Sequence, residues 1–251
     1  MPVYAVANNK GGVGKTTVAV NLAATFAREG HPTLLIDLDP QGNAGIHLGI
    51  QTYELERSMR DVMLGTADLA SIIWESDFAN LDIAPANLLL DEVEMSSAPG
   101  KEMALKAELD SVKSEYEYIF IDCPPRLGLF STSAFVASDK IILPIQAAHF
   151  ALEGTSQILW MLDMVRKRFG KEGLEILRVI PMMYRRTSLA DEIMEEIHKH
   201  FAGRVTRPVP VNVAIDEASA QGKPVVYYAP QSKGAQAFEE IARDLLDHAQ
   251  A

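Results

Sequence analysis

Eight consecutive residues, Lys10-Gly11-Gly12-Val13-Gly14-Lys15-Thr16-Thr17, have the types and spacing to hold a phosphate chain. Glycines 11, 12 and 14 let backbone N–H groups converge on phosphate oxygens, where a Cβ would obstruct the approach. Lys15 supplies a charge for the β- and γ-phosphates, and the Thr16 hydroxyl is a ligand for Mg²⁺. The spacing is that of the GxxxxGK[ST] loop with one departure, since Asn9 and Lys10 stand where a glycine would open it. The implied ligand is ATP with Mg²⁺, held by Lys10 to Thr17.

Carboxylates follow at two further places. The run Thr33–Ile36 leads into Asp37-Leu38-Asp39-Pro40-Gln41-Gly42-Asn43-Ala44, and the period of two puts Asp37 and Asp39 on the same side of a strand. Tyr118-Ile119-Phe120-Ile121-Asp122 is apolar and then acidic, and Asp122 is expected to hold Mg²⁺ through water. Cys123-Pro124-Pro125 comes next. Cys123 invites a redox reading, but a small hydrophobe beside the sheet is the expectation.

The elements that must position these groups alternate in type. Strands are expected at Val3–Asn8, Thr33–Asp37, Leu81–Ala84, Tyr118–Asp122, Lys140–Pro144 and Leu177–Pro181. Helices are expected at Thr16–Glu29, Lys101–Ser114, Leu152–Phe169, Leu189–Phe201 and Lys233–His248. Continuous apolar strands between amphipathic runs predict an α/β fold, a mainly parallel sheet with helices on both faces. Asp37, Asp39 and Asp122 then fall at the carboxyl ends of strands, where open α/β sheets bind ligands. Ser58 reads as the N-cap of a short helix through Leu64, with Gly65 as its stop.

Composition sets the outer limits. The chain has 251 residues, 48% of them hydrophobic, enough for one sizeable core, and no repeat or linker divides it, so residues 1–251 read as a single domain. No run approaches a membrane span, and the N-terminal sequence passes straight into a strand and motif, leaving no room for a signal peptide. Cys123 is the single cysteine, which excludes an internal disulfide and fits a reducing cytoplasm. The formal charge of −11 means that any nucleic-acid contact must come from a local patch.

KGGVGKT[TS] is the deviant form of the phosphate loop, and the chain resembles the ParA and MinD family of ATPases. The resemblance implies that Lys10 crosses a dimer interface to the partner's nucleotide, as a trans-acting cation worth about 10³–10⁵ in rate where GTPases use an arginine. DLDPQGNA is close to the ParA form of switch I, which implies that Asp37 sits near the Mg²⁺ shell and that Asp39 positions the attacking water. IDCPP similarly opens switch II, but Arg126 stands where a small residue, usually serine, follows. Val209-Pro210-Val211-Asn212-Val213 resembles the PRNV segment that places the adenine, with Pro210 and Asn212 matching and Val211 replacing arginine. GKPV at 222–225 and Ser232-Lys233-Gly234-Ala235 extend the likeness over residues 3–248.

What the resemblance implies about function is an ATP-bound homodimer that cycles on nonspecific double-stranded DNA of the nucleoid. It would position cargo, chromosome or plasmid or protein assembly, under a ParB-like or other adaptor that stimulates hydrolysis. Arg186 matches one DNA-contact position, and Ala214 marks the loss of another. Arg185, Arg186, Lys199, Arg204 and Arg207 are the candidates for a patch. The alternative is a MinD-like or other regulatory ATPase that acts through a protein partner without DNA. A nitrogenase-type iron protein is excluded by the cysteine count. Membrane attachment is disfavoured, because the tail AFEEIARDLLDHAQA is acidic rather than basic.

Overall fold

A computed structural model of the chain describes residues 1–96, 99–148 and 154–249. Its frame is a seven-stranded sheet in the order β3-β4-β2-β5-β1-β6-β7. The strands are β1 (Val3–Val6), β2 (Thr33–Asp37), β3 (Trp74–Glu75), β4 (Leu81–Ala84), β5 (Tyr118–Asp122), β6 (Lys140–Gln146) and β7 (Glu175–Met182). All pairings are parallel except that of the two-residue edge strand β3 with β4. Early connections carry the chain to one side of β1 and later ones to the other, so the order reverses at β1. Its carboxyl end opens on the crevice that such a reversal creates.

The period of two sorts the strands into two cores. Leu34, Ile36, Ile119, Ile121, Ile141 and Leu143 face one layer. Leu35, Phe120 and Ile142 face the other. The first layer is covered by α2 (Met59–Leu64), α3 (Ala104–Leu109), α4 (Leu129–Ala137) and α5 (Thr155–Phe169). α1 (Lys15–Arg28) and α8 (Lys233–Ala249) cover the second, with Leu22, Phe26, Phe238 and Ile241 fully buried between them and the sheet. α6 (Ser188–His200) and α7 (Val213–Ala220) complete the longer helices.

The α2 signals act as expected: Ser58 and Asp61 form a reciprocal capping box, and Gly65 closes the helix in the left-handed region at φ 71°. Two expectations need correction, and one extends past what is described. The helix expected over Lys101–Ser114 is a 3₁₀ turn followed by α3, which stops at Leu109. There the Ser111 hydroxyl and N–H both take the Glu108 carbonyl, so the chain tightens into turns. The strand expected to run to Asn8 ends at Val6, because Asn8 turns to serve the loop. The helix expected from Leu152 is described from Thr155, and Leu152 itself lies outside the described residues. No helix among the described residues is long and apolar enough to cross a membrane.

Candidate functional site

The phosphate loop is pinned before it begins. The Asn8 amide donates to the Pro144 carbonyl on β6 (2.6 Å), and its oxygen accepts the Lys10 N–H (3.1 Å). Gly12 and Gly14 then take φ of 72° and 89°, which a side chain would strain. No protein atom lies within 4 Å of where a Cβ on Gly11 or Gly12 would stand, so the hollow under the loop is open. Gly14 opens α1 without any side-chain cap, which leaves the first N–H groups of the helix free to meet an anion.

Lys15 is buried, and its ammonium donates to the Lys10 carbonyl (3.0 Å) across the loop. Burial lowers its pKa, while Asp122, Cys123 and Asp39 push back. Lys10 behaves differently. Its backbone is held at both ends, yet its side chain is exposed and has no partner among the described residues.

The two buried acids sit side by side, since Asp37 and Asp122 are register partners between β2 and β5. Asp37 accepts the Asp39 N–H (2.9 Å) on one oxygen and the Ala44 N–H (3.1 Å) on the other. These bonds fold the 37–44 loop back over the strand end. Asp39 caps the next turn in the same way, accepting the Gln41 N–H (3.0 Å). Asp122 has no such outlet, and both its oxygens are buried without a hydrogen-bond partner.

Burial is the main reason that the Asp122 pKa is pushed up to about 7. The Thr16 hydroxyl eases the cost from nearby without reaching hydrogen-bonding geometry, Asp39 adds to it, and Lys15 relieves it. Asp37 is likewise held well above the carboxylate range by burial and by the neighbouring Asp122. Carboxylates left unpaired at such a cost are waiting for a cation. Mg²⁺ fits this donor set, because the orphaned Asp122 carboxylate and the Thr16 hydroxyl beside it are hard oxygen groups. Thr16 and Asp122 are the groups that could contribute to such a site, which would leave room for oxygen ligands from nucleotide and water. Cys123 is buried, with its thiol pushed up mainly by burial, as a structural cysteine should be.

From Gly14 and Thr17 a cavity of about 520 Å³ extends away from the loop. Pro210, Val211 and Asn212 form one wall, and Met182, Met183 and Ile215 supply apolar surface for a flat ring. Asn212 also caps α7, accepting the Ala214 N–H (3.0 Å), so its amide nitrogen remains for a ligand. The methionines, Ile215 and Asp216 were not legible as site residues: they carry no motif, and only their place beyond the carboxyl end of β7 marks them. Met183 is one of only two described non-glycine residues with positive φ, at 57°.

A family model described as an AAA domain matches residues 1–176. The chain is 40% identical to the sporulation initiation inhibitor protein Soj of Bacillus subtilis, over 97% of each chain. It is 37% identical to the chromosome partitioning protein ParA of Caulobacter vibrioides, over 97% of this chain and 93% of that one. The chain belongs to the ParA/MinD family.

Among solved structures it resembles cobyrinic acid a,c-diamide synthase of Mycobacterium smegmatis with bound ATP analog and magnesium (TM-score 0.88, 30% identity, 100% and 96% of the two chains). It also resembles the cell division ATPase MinD of Pyrococcus furiosus (TM-score 0.81, 27% identity, 98% and 99%). As a member of this family the protein is an ATPase, with ATP and Mg²⁺ as its cofactors.

The expected DNA-contact arginines differ in their surroundings. Arg204 precedes the bridge of Val205 to Val179, within β7, whereas Arg185 follows that of Tyr184 to Pro210, beyond the end of β7. Arg204 pairs with Glu175 (3.3 Å), and Arg207 with Glu240. Arg185 lines the large cavity. Lys199 is exposed at the far end of α6, whose solvent side also carries Asp191, Glu192, Glu195 and Glu196. Arg186 is exposed and forms no ion pair among the described residues.

Proposed function

We propose that this protein is a ParA-type partition ATPase that dimerises face to face on Mg-ATP and, as a dimer, holds nonspecific duplex DNA while it positions cargo. The observation that carries the reading is Lys10. Its backbone is anchored through Asn8 and Lys15, while its side chain is exposed without a partner among the described residues. A lysine prepared in this way has no work within its own chain and suits the phosphates of a second copy.

In this reading Gly11, Gly12, Val13, Gly14 and Thr17 line the phosphate cradle with their N–H groups, and Lys15 neutralises the β- and γ-phosphates. Thr16 and Asp122 hold Mg²⁺, whose chemistry is to offset charge on the phosphate oxygens. Asp37 acts by fixing the 37–44 loop, and Asp39, at the loop's turn, orients the attacking water. Pro210 and Asn212 flank the adenine. The DNA contact rests on Arg186, doubled by the dimer, because Arg204 and Arg207 are committed to acids. Those ion pairs and the −11 charge also favour a second reading, in which the scaffold is a protein and no DNA is bound.

One experiment separates the levels of the proposal. Asp39→Ala with Mg-ATP is expected to accumulate as a dimer in light scattering and to retard duplex DNA of any sequence at low salt. A persistent monomer defeats the face-to-face assembly. A dimer that leaves DNA unretarded moves the protein to the second reading.

A further inference from the structure

Arg126, the residue that departs from the switch II pattern, is four-fifths exposed, yet its side chain is not adrift. Its Nη1 lies 3.7 Å from Glu94 Oε2. Glu94 belongs to the single helical turn Glu92–Met95, which is braced from outside. Arg60 pairs with Glu92 (2.8 Å), and the Lys101 ammonium donates to the Val93 and Ser96 carbonyls. On the other side the Arg126 carbonyl accepts the Gly128 N–H (3.1 Å) and the Ser131 hydroxyl (2.8 Å), fixing its backbone at the start of α4. A Cβ on Gly128 would come within 3.3 Å of Glu94 Oε1, so the glycine lets the two segments approach.

Arg126 and Glu94 face each other across a cleft of about 200 Å³ whose lining includes Asp39, Gln41, Asp91 and Pro125. The guanidinium therefore shares one small space with the acid assigned to the attacking water. Charge there is unbalanced, since among the described lining residues Arg126 is the single cation against Asp39, Asp91 and Glu94. An exposed pair at this distance biases the side chain by about fivefold at most, which corresponds to ~1 kcal/mol. A terminal phosphate gathering negative charge competes easily with that.

We propose that Arg126 is a further catalytic residue of the ATPase, acting in cis on the γ-phosphate, and that Glu94 is the positioning residue that parks it in the resting chain. The proposal rests on the reading of Asp39 given above, which puts the reacting phosphate at the mouth of this cleft. The extra cation makes the chain less dependent on what a partner delivers, and Glu94 restrains it until nucleotide is bound.

Steady-state ATP hydrolysis by Arg126→Ala, Arg126→Lys, Glu94→Gln and the double variant Glu94→Gln/Arg126→Ala provides the test. Arg126→Ala is expected to lower kcat about tenfold with KM nearly unchanged, short of the 10²–10³ typical of a preorganised donor because this one is exposed. Arg126→Lys should recover part of the loss. Glu94→Gln should raise kcat by up to about fivefold, and that gain should vanish when Arg126 is already alanine. A Glu94→Gln effect that survives in the double variant overturns the parking role, and an unchanged kcat in Arg126→Ala overturns the catalytic one.

Mixing Arg126→Ala with Asp39→Ala distinguishes cis from trans. Mixed dimers that regain activity would place Arg126 on the partner's nucleotide and refute the proposal. If Asp39→Ala by itself hydrolyses ATP at the wild-type rate, the reading of Asp39 has failed, and the Arg126 and Glu94 cycle still reports on its own residues.

Discussion

Replacing Asp122 by asparagine should remove much of the loss of stability that rising pH causes. Both carboxylate oxygens are buried without partners, and the folded pKa stands at about 7 against a reference of 3.8. The stability associated with this group is fully present below the unfolded pKa and is lost as pH rises through the folded one, because the folded chain holds the proton longer. Between pH 5 and the folded pKa the loss amounts to roughly two pH units at 1.36 kcal/mol each, or about 3 kcal/mol by pH 8. Asp37, held up partly by Asp122, adds in the same direction.

An asparagine carries no such charge, so its stability relative to wild type should move in its favour by about 3 kcal/mol between pH 5 and pH 8, whatever the fixed cost of burying the amide. For a chain of this size that corresponds to roughly 6–12 °C in the difference of melting temperatures. The assay is thermal unfolding of both proteins, free of nucleotide and metal, at the two pH values. Mg-ATP should then raise the melting temperature of wild type far more than that of the variant, because only wild type regains the loss by binding a cation. A melting difference that stays constant with pH would refute the claim that Asp122 is a buried, unsatisfied charge.

The remaining predictions concern nucleotide and DNA. Lys15→Ala should abolish Mg-ATP binding in calorimetry, since among the described residues no other cation is buried against the loop; equal affinity would overturn the phosphate-loop assignment. Arg185→Ala should weaken nucleotide rather than DNA binding, and Arg186→Ala the reverse, as read by calorimetry and gel shift on the trapped dimer. With Arg186 the proposed contact of each copy, log affinity for DNA should fall against log salt with a slope near −2, or about −0.9 per phosphate. A slope near −7 would mean that all four arginines contribute and that the pairs to Glu175 and Glu240 open on DNA.

The fold was legible where one signal dominated. The βα alternation gave the parallel sheet because strands covered on both faces must be continuously apolar, as Tyr118–Asp122 is. α2 was readable because Ser58 and Gly65 are local signals that need no tertiary context. α4 was not, because every residue from Phe130 to Ala137 is buried; with no solvent side it has no polar stripe, and its serines and threonines mimic a loop. α7 escaped for a different reason, since Asn212 had already been assigned to the adenine and its capping role went unread.

The site divides along the same line. Motif residues from Lys10 to Thr17 were legible because a phosphate constrains backbone and charge together, leaving few sequences able to serve. The difference between Asp37 and Asp122 was invisible, because both end an apolar strand and both were expected near the ion. Only the chain's return over β2, which brings the Asp39 and Ala44 N–H groups to Asp37, leaves Asp122 as the acid in need of a cation. The arginines follow the same logic. Arg185, Arg186, Arg204 and Arg207 are close in sequence, and proximity in sequence suggested a patch. The fold, however, sets Arg204 beside β7 and Arg185 beyond its end, and the acids Glu175 and Glu240, supplied by distant segments, claim two of the four. A charge counts toward recognition only when the fold has left it unneutralised.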